Sequence, residues 1–331
     1  MQNMSKEMKK EYEKLIYHIG NKFDDLSEKD REKMTEFCED YKGFLTKAKT
    51  EREFCDNALH MLEQAGFVSL DAKKSLSPGD RVYTVNRGKG IVAAVIGKEP
   101  LSCGVNLVGA HIDAPRLDLK PNPLYESEEI AYLKTHYYGG IKKYQWTAIP
   151  LSIHGVIVKT DGTQIRIRIG EDAGDPIFCI TDLLPHLAQD QMQKKMSEAI
   201  PGEGLNILIG NVPCEDKDVT ERVKANILHL LNEKYDITEE DFVSSEIEIV
   251  PAFPARDLGF DRSMVAGYGQ DDRVCAYTAF RAVLDLKKPK RTAVCLLVDK
   301  EEVGSMGNTG MQSRYFENVL AKMCLLEDEE A

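Results

Sequence analysis

Three short segments carry the residue types that bind metal ions and move protons. They are His111-Ile-Asp113, Asp271-Asp272 and Glu301-Glu302. An imidazole combined with carboxylates is the ligand set of zinc, manganese or cobalt in hydrolytic sites. A carboxylate can bridge two such ions, and ions about 3.5–4 Å apart can share a nucleophilic water. One further carboxylate, not bound to metal, must then take the proton from that water.

The spacing within the segments predicts how these roles divide. Adjacent side chains at the end of a strand point in different directions, so one of Glu301 and Glu302 can bind metal while the other acts as base. In the His-x-Asp segment, Asp113 can hydrogen-bond the His111 imidazole and fix its tautomer.

Each segment also has an ordinary structural interpretation. A single His-x-Asp pair is more often structural than catalytic. Asp271-Asp272-Arg273 could cap a helix and form a salt bridge, and Glu301-Glu302 could lie in a solvated loop. The combination favours a metal site because two of the three segments directly follow apolar strands.

Two continuous apolar runs predict the strands that deliver these residues. Residues 104–110 lead into His111, and residues 292–298 lead into Asp299. Runs of this kind are typical of parallel strands buried on both faces. In open α/β sheets, ligands bind at the C-terminal ends of such strands. Apolar side chains over residues 274–286 are spaced for a helix after Asp271-Asp272.

The other patterns predict two domains. Residues 4–66 and 313–326 look helical, and residues 81–97 look like a hairpin. Between 116 and 250 the character changes: residues 151–159 and 164–169 alternate as a hairpin, with further strands at 205–209 and 246–250 and a helix near 219–234. We therefore expect an α/β domain with a mixed, largely parallel-core sheet and flanking helices, formed by residues 1–115 and 251–331. A β-rich domain, residues 116–250, is inserted into it.

Composition excludes several classes of function. The chain has 331 residues, and its net charge of −12 argues against nucleic acid or an anionic membrane as a partner. It contains no apolar run long enough to span a membrane and no signal peptide, and its eight cysteines form no Cys-x-x-Cys pair, so we expect a cytoplasmic protein. P-loop, dinucleotide-binding and nucleophile-elbow motifs are also absent from the sequence.

The chain resembles the M18 family of metallo-aminopeptidases, the aspartyl aminopeptidase and aminopeptidase I group. The resemblance rests on four motifs: Gly109-Ala-His111-Ile-Asp113-Ala-Pro115, Tyr138-Gly-Gly140, Gln270-Asp271-Asp272-Arg-Val-Cys-Ala-Tyr277 and Asp299-Lys-Glu301-Glu302-Val-Gly-Ser305. It implies a zinc-aminopeptidase-like proteolytic domain interrupted by a dimerisation domain, and assembly through dimers into a tetrahedral dodecamer. It also implies a site for two Zn²⁺ ions, with Mn²⁺ or Co²⁺ as alternatives, that removes N-terminal residues from peptides.

The resemblance also implies a role for each site residue. His111 matches a metal ligand, Asp113 its orienting partner in catalysis and Asp271 a bridging ligand. Glu301 matches the general base that acts on a metal-activated water, and Glu302 matches a metal ligand.

Two departures from the family pattern leave alternatives open. Family members continue past the position of Ala331 and supply another aspartate and a histidine ligand, so we expect this chain to lack that part. A catalytically incomplete scaffold and a related metal-dependent amide deacylase therefore stand as alternatives. Asp190 lies four positions after His186, where aspartyl aminopeptidases carry a histidine, so the preferred N-terminal residue stays open.

Overall fold

A computed structural model describes residues 6–17 and 19–327. Within these ranges, the residues up to Tyr41 form one compact unit, and those from Lys42 form a second, larger one. The α-helices of the described ranges are α1 Lys6–Leu15, α2 Glu28–Lys47, α3 Glu51–Gln64, α4 Gln189–Met192, α5 Met196–Ala199, α6 Arg222–Tyr235, α7 Gln270–Leu284 and α8 Tyr315–Glu327. Short 3₁₀ helices lie at Lys22–Asp25, Leu70–Ala72, Leu101–Cys103, Lys143–Gln145, Gly202–Gly204, Glu239–Ser244 and Glu301–Val303.

The strands of the larger unit form a five-stranded, a six-stranded and a two-stranded sheet. They are β1 Val68–Ser69, β2 Arg81–Val85, β3 Ile91–Val95, β4 Asn106–His111, β5 Arg116–Ser127, β6 Ile130–Tyr138, β7 Leu151–Val158, β8 Gln164–Ile169, β9 Ile207–Gly210, β10 Ser245–Pro251, β11 Arg256–Leu258, β12 Met264–Ala266 and β13 Ala293–Val298. None of the helices in the described ranges has the length and apolar character needed to cross a bilayer.

The five-stranded sheet has the order β1-β2-β3-β13-β4 and positions two of the three segments. β13 pairs in parallel with β4 and antiparallel with β3, and all its residues but the last are buried. The register places Val298 beside His111, so both strands end at the same edge. The mixed α/β sheet is confirmed, and among the described strands the parallel pairs are β1–β2 and β13–β4.

Strand β4 corrects one expectation. Its apolar run predicts a strand buried on both faces, yet most of it is exposed, with Leu107 46% and Val108 41% accessible. Among the described strands, β4 is the edge of the sheet and pairs only with β13. An apolar run therefore predicts a strand, but it does not predict whether other strands or helices bury that strand.

The six-stranded sheet confirms the antiparallel strands predicted for the middle of the chain. Its order is β8-β7-β10-β5-β6-β9, and the β7–β8 hairpin pairs Val158 with Gln164 at its turn. It has its own core, in which side chains such as Ile157 and Ile249 are completely buried. The chain passes from one sheet to the other near residues 115 and 251. The division into a proteolytic and an inserted domain remains a prediction, because both sheets lie in the same compact unit.

A buried charge network joins the start of α3 to the six-stranded sheet. Glu171 accepts hydrogen bonds from Lys49 Nζ at 2.6 Å, from Ser152 Oγ at 2.6 Å and from His154 Nε2 at 3.1 Å. The other ring nitrogen of His154 lies 2.6 Å from Glu53 Oε1. Burial alone would raise the pKa of Glu171, but these partners outweigh burial and lower that pKa to about 2. Glu171 therefore compensates the buried Lys49 ammonium and also holds the His154 ring.

Replacement of Glu171 by glutamine should destabilise the chain strongly. The Glu171→Gln change leaves the Lys49 ammonium buried without its carboxylate, which costs about 3 kcal/mol of unfolding free energy for a buried pair. Urea denaturation measures the difference. Asp172→Asn is the matched control, because the adjacent Asp172 side chain is 77% exposed and its loss should cost less than about 0.5 kcal/mol. Equal midpoints for the two variants would contradict the assignment.

The same network predicts an acid-dependent loss of stability. Because the pKa of Glu171 falls from its ordinary value of 4.5 to about 2, the carboxylate stabilises the folded chain above pH 4.5. This contribution disappears as the pH falls from 4.5 to about 2. The difference in unfolding free energy between the parent chain and Glu171→Gln should therefore shrink over this interval. A constant difference from pH 5 to pH 2 would show that Glu171 does not carry the effect.

Candidate metal centre

The C-terminal ends of β4 and β13 bring two of the predicted segments together. His111 is the last residue of β4, and the loop after β13 leads to the 3₁₀ helix that starts at Glu301. Asp299 follows β13 directly. Its side chain is completely buried and anchors the loop rather than facing the site. Its carboxylate accepts hydrogen bonds from Thr309 Oγ1 at 2.7 Å and from the Lys300 amide at 2.8 Å.

His111 presents one ring nitrogen to the acids of the site. Its Nδ1 lies 3.1 Å from the Asp113 carbonyl oxygen, which only accepts, so the neutral ring carries its proton on Nδ1. Nε2 is then free to bind an ion, and it lies 3.3 Å from Asp271 Oδ1 and 3.7 Å from Glu301 Oε2. Burial disfavours the charged ring, but the hydrogen bond to Asp113 and the nearby carboxylate charges outweigh burial and raise the pKa of His111 to about 9.

Asp113 does more than orient His111, the role that the sequence predicts for it. Its carboxylate is completely buried and lies 3.3 Å from His111 Nδ1. It also accepts hydrogen bonds from the Glu301 amide to Oδ1 and from the Glu302 amide to Oδ2, both at 3.2 Å. A fourth bond, 2.7 Å long, comes from the hydroxyl of Tyr138. Burial opposes its charge, yet these donors hold the pKa of Asp113 below its ordinary value.

Glu301 and Glu302 both reach the space in front of His111. One donor atom from each of these three residues lies within 4.8 Å of the others. The Glu301 side chain is 55% exposed, whereas Glu302 is half-buried, and burial raises the pKa of Glu302. Since both carboxylates can reach a common ion, the division into base and ligand remains a prediction.

Asp271 completes the group from a different element. It lies in the first turn of α7, where Asp271 and Asp272 depart from helical dihedrals, and its side chain is 89% exposed. Arg273 does not form the salt bridge of the structural interpretation. It is buried, and it donates to the carbonyl oxygens of Ile112 at 3.1 Å and Lys49 at 2.8 Å. Arg273 thus ties α7 to the His-x-Asp segment.

Sequence reasoning assigned no role to Tyr138, although it noted the Tyr-Gly-Gly motif that contains this residue. Tyr138 is the last residue of β6, in the six-stranded sheet, and its hydroxyl is hydrogen-bonded to Asp113. The motif was the one signal in the sequence that could have indicated a role for Tyr138. Two consecutive glycines after a tyrosine suggest a special backbone conformation next to it, which an ordinary core tyrosine does not need.

The donor set fits zinc. A neutral imidazole nitrogen and carboxylate oxygens are ordinary zinc ligands, and they converge here at the end of a buried strand. The Nδ1 contact with Asp113 is the arrangement that orients ligating histidines in zinc sites. The other two imidazole–carboxylate contacts, to Asp271 and Glu301, surround the face on which an ion would lie.

Comparisons with known proteins identify the family of this chain. The sequence profile of the aminopeptidase I zinc metalloprotease family, M18, matches residues 44–331. A probable M18 family aminopeptidase 1 of Clostridium acetobutylicum is 54% identical over 316 residues, which are 94% of this chain and 68% of that protein.

Solved structures show the same fold. An M18 family aminopeptidase from Thermotoga maritima superposes with a TM-score of 0.89 at 48% identity, over 93% of this chain and 67% of that one. The S. cerevisiae mApe1 dodecamer gives a TM-score of 0.69 at 18% identity, over 90% of this chain and 68% of that one, a likeness of fold alone. The chain spans about two thirds of the length of these relatives. Because the family profile covers most of the sequence, the chain belongs to the M18 family of aminopeptidases.

Proposed function

We propose that this chain carries the metal site of a metal-dependent aminopeptidase, which hydrolyses N-terminal residues from peptides. The observation that carries the proposal is the convergence of His111, Glu301 and Glu302, whose donor atoms lie within 4.8 Å of one another. Membership of the M18 family supports it, since the relatives are named aminopeptidases.

His111, Glu302 and Asp271 are the residues that would hold zinc. A bound Zn²⁺ would polarise the scissile carbonyl and lower the pKa of a water molecule. Asp113 keeps the His111 ring in the orientation and tautomer that leave Nε2 available. Asp271 lies on the exposed side of His111, where its carboxylate could bridge to a second ion, so we propose two ions per site. Mn²⁺ or Co²⁺ could replace zinc, because the same donor types suit them.

Glu301 is the proposed general base. Its side chain is 55% exposed, so it can face both solvent and a bound peptide. It would take the proton of the attacking water and return it to the departing amine, which keeps the proton balance of amide hydrolysis. The Glu301 backbone amide donates a hydrogen bond to Asp113, which fixes the backbone at Glu301. The Glu301 carboxylate takes no part in this bond.

We also propose that the chain assembles with copies of itself, through dimers into a tetrahedral dodecamer, in the cytoplasm. The mApe1 relative was solved as a dodecamer. Large apolar side chains are exposed over residues 183–196, including Leu187 at 66% and Met192 at 65%, as expected of a surface covered on assembly. The eight cysteines are free thiols, as in a reducing compartment.

Glu301→Gln should abolish peptide hydrolysis and leave the metal content nearly unchanged. The amide keeps the size of the side chain but cannot accept the proton, so turnover should fall by a factor of about 100 to 10,000. An aminoacyl-anilide assay and metal analysis on the same preparation measure the two effects. Loss of metal in this variant would assign Glu301 as a ligand and contradict its role as base.

His111→Ala should lose the metal. It removes the one imidazole of the donor group and leaves carboxylates alone, which bind zinc more weakly. Isothermal titration with Zn²⁺ measures the loss. His136→Ala is the matched control, because His136 is exposed and lies outside the donor group. Equal zinc affinity of the two variants would exclude the site.

A non-catalytic scaffold is the second candidate. It is favoured by the single imidazole in the described donor group. The two candidates differ in a direct test on this 331-residue chain. Two metal ions per chain together with turnover would exclude the scaffold, whereas a folded chain without turnover on any aminoacyl anilide would favour it.

A further inference from the structure

We propose that Tyr138 and Gly139 are positioning residues for the metal centre, supplied by the six-stranded sheet. The proposal rests on the proposed function in one respect, namely that the site binds a metal ion. Neither residue reaches the space between the donor atoms. Tyr138 acts through Asp113, to which its hydroxyl is hydrogen-bonded, and Gly139 acts through Glu302, against which it packs.

The Tyr138 hydroxyl holds one oxygen of Asp113. It donates a 2.7 Å hydrogen bond to Oδ2, the same oxygen that accepts the Glu302 amide. Oδ1 is left for His111 Nδ1 and the Glu301 amide. Without the hydroxyl, the carboxylate could rotate about its bond to Cβ, and both the imidazole and the backbone of the two glutamates would lose a fixed partner.

The Tyr138 ring is itself held rigidly. The Arg116 guanidinium lies 3.9 Å from the ring centroid, and Lys300 Nζ lies 5.4 Å from it. Arg116 is buried and anchored by Asp118 at 2.8 Å and by Glu51 at 3.3 Å. A tyrosine with this support can fix the direction of its hydroxyl, whereas a mobile surface tyrosine could not.

Gly139 gives the Glu302 side chain the space that it occupies. A Cβ atom added to Gly139 would lie 3.0 Å from Glu302 Cβ and 3.1 Å from Glu302 Oε2. The residue also has a φ of +71°, a conformation that side chains rarely adopt. The next residue, Gly140, has open space at its Cβ position. The two glycines of the motif therefore differ, and only the first is packed against a proposed ligand.

Tyr138→Phe tests the hydroxyl, with Tyr137→Phe as the matched control on the other face of the same strand. Tyr137 is 48% exposed and does not face the site. We expect Tyr138→Phe to weaken Zn²⁺ binding about 10-fold to 100-fold in a chelator competition and to change the visible spectrum of bound Co²⁺. We expect Tyr137→Phe to match the parent chain in both measurements.

Gly139→Ala and Gly140→Ala form a second pair, which does not depend on the tyrosine variants folding. Gly139→Ala should weaken Zn²⁺ binding at least about 10-fold and change the Co²⁺ spectrum, since Glu302 must move. Gly140→Ala should change neither. Thermal unfolding of the metal-free chains shows whether each variant is folded before its affinity is compared.

Amide hydrogen exchange on the metal-free chain separates this proposal from the proposed function. Tyr138→Phe should speed exchange at the Glu301 and Glu302 amides about threefold to tenfold, because their acceptor loses a partner. Faster exchange in a chain that binds no zinc would support the positioning role and contradict the metal site. Unchanged exchange, or equal Zn²⁺ affinity and Co²⁺ spectra for Tyr138→Phe and Tyr137→Phe, would overturn the positioning role.

Discussion

The geometry of the candidate site depends on the hydrogen bonds that the buried Asp113 carboxylate accepts. A completely buried charge is costly unless it is paired and hydrogen-bonded, and Asp113 meets both conditions with four partners from three parts of the chain. His111 comes from the same strand end, the Glu301 and Glu302 amides from the loop after β13, and Tyr138 from the six-stranded sheet. Because one carboxylate joins all of them, the imidazole and the glutamates cannot move independently.

The pairing of strands in the five-stranded sheet determines which residues meet at the candidate site. Parallel pairing of β4 with β13 puts His111 beside Val298, so the residues that follow β13 must pass in front of the imidazole. An antiparallel pairing would have sent the two strand ends to opposite edges. The buried Asp299, held by Thr309, then turns the chain immediately after the strand. Glu301 and Glu302 therefore lie within reach of the ring because of backbone geometry and not because of a long-range salt bridge.

The sequence was sufficient where signals are local and insufficient where they depend on neighbours. Apolar runs predicted β13 and β4 as strands, and the acidic residues after them indicated the edge at which the candidate site lies, because both patterns consist of consecutive residues. The exposure of Leu107 was not predictable, since an edge strand and a central strand can have the same composition. Tyr138 was not assigned a role because it belongs to another sheet, and nothing in its immediate sequence indicates that its hydroxyl meets Asp113.

The charges of the candidate site favour a bound cation. Three carboxylates lie around the His111 imidazole, those of Asp271, Glu301 and Glu302. Burial is the largest cause of the raised pKa of Glu302, and the charges of the neighbouring acidic groups raise it further. Such a group repels itself unless a positive charge lies between its members. Without metal, the hydrogen bond to Asp113 and the charges of Asp113 and Glu301 outweigh burial and raise the pKa of His111 to about 9, so the ring itself holds a positive charge. An ion bound at Nε2 would replace that proton and would supply more charge to the surrounding carboxylates.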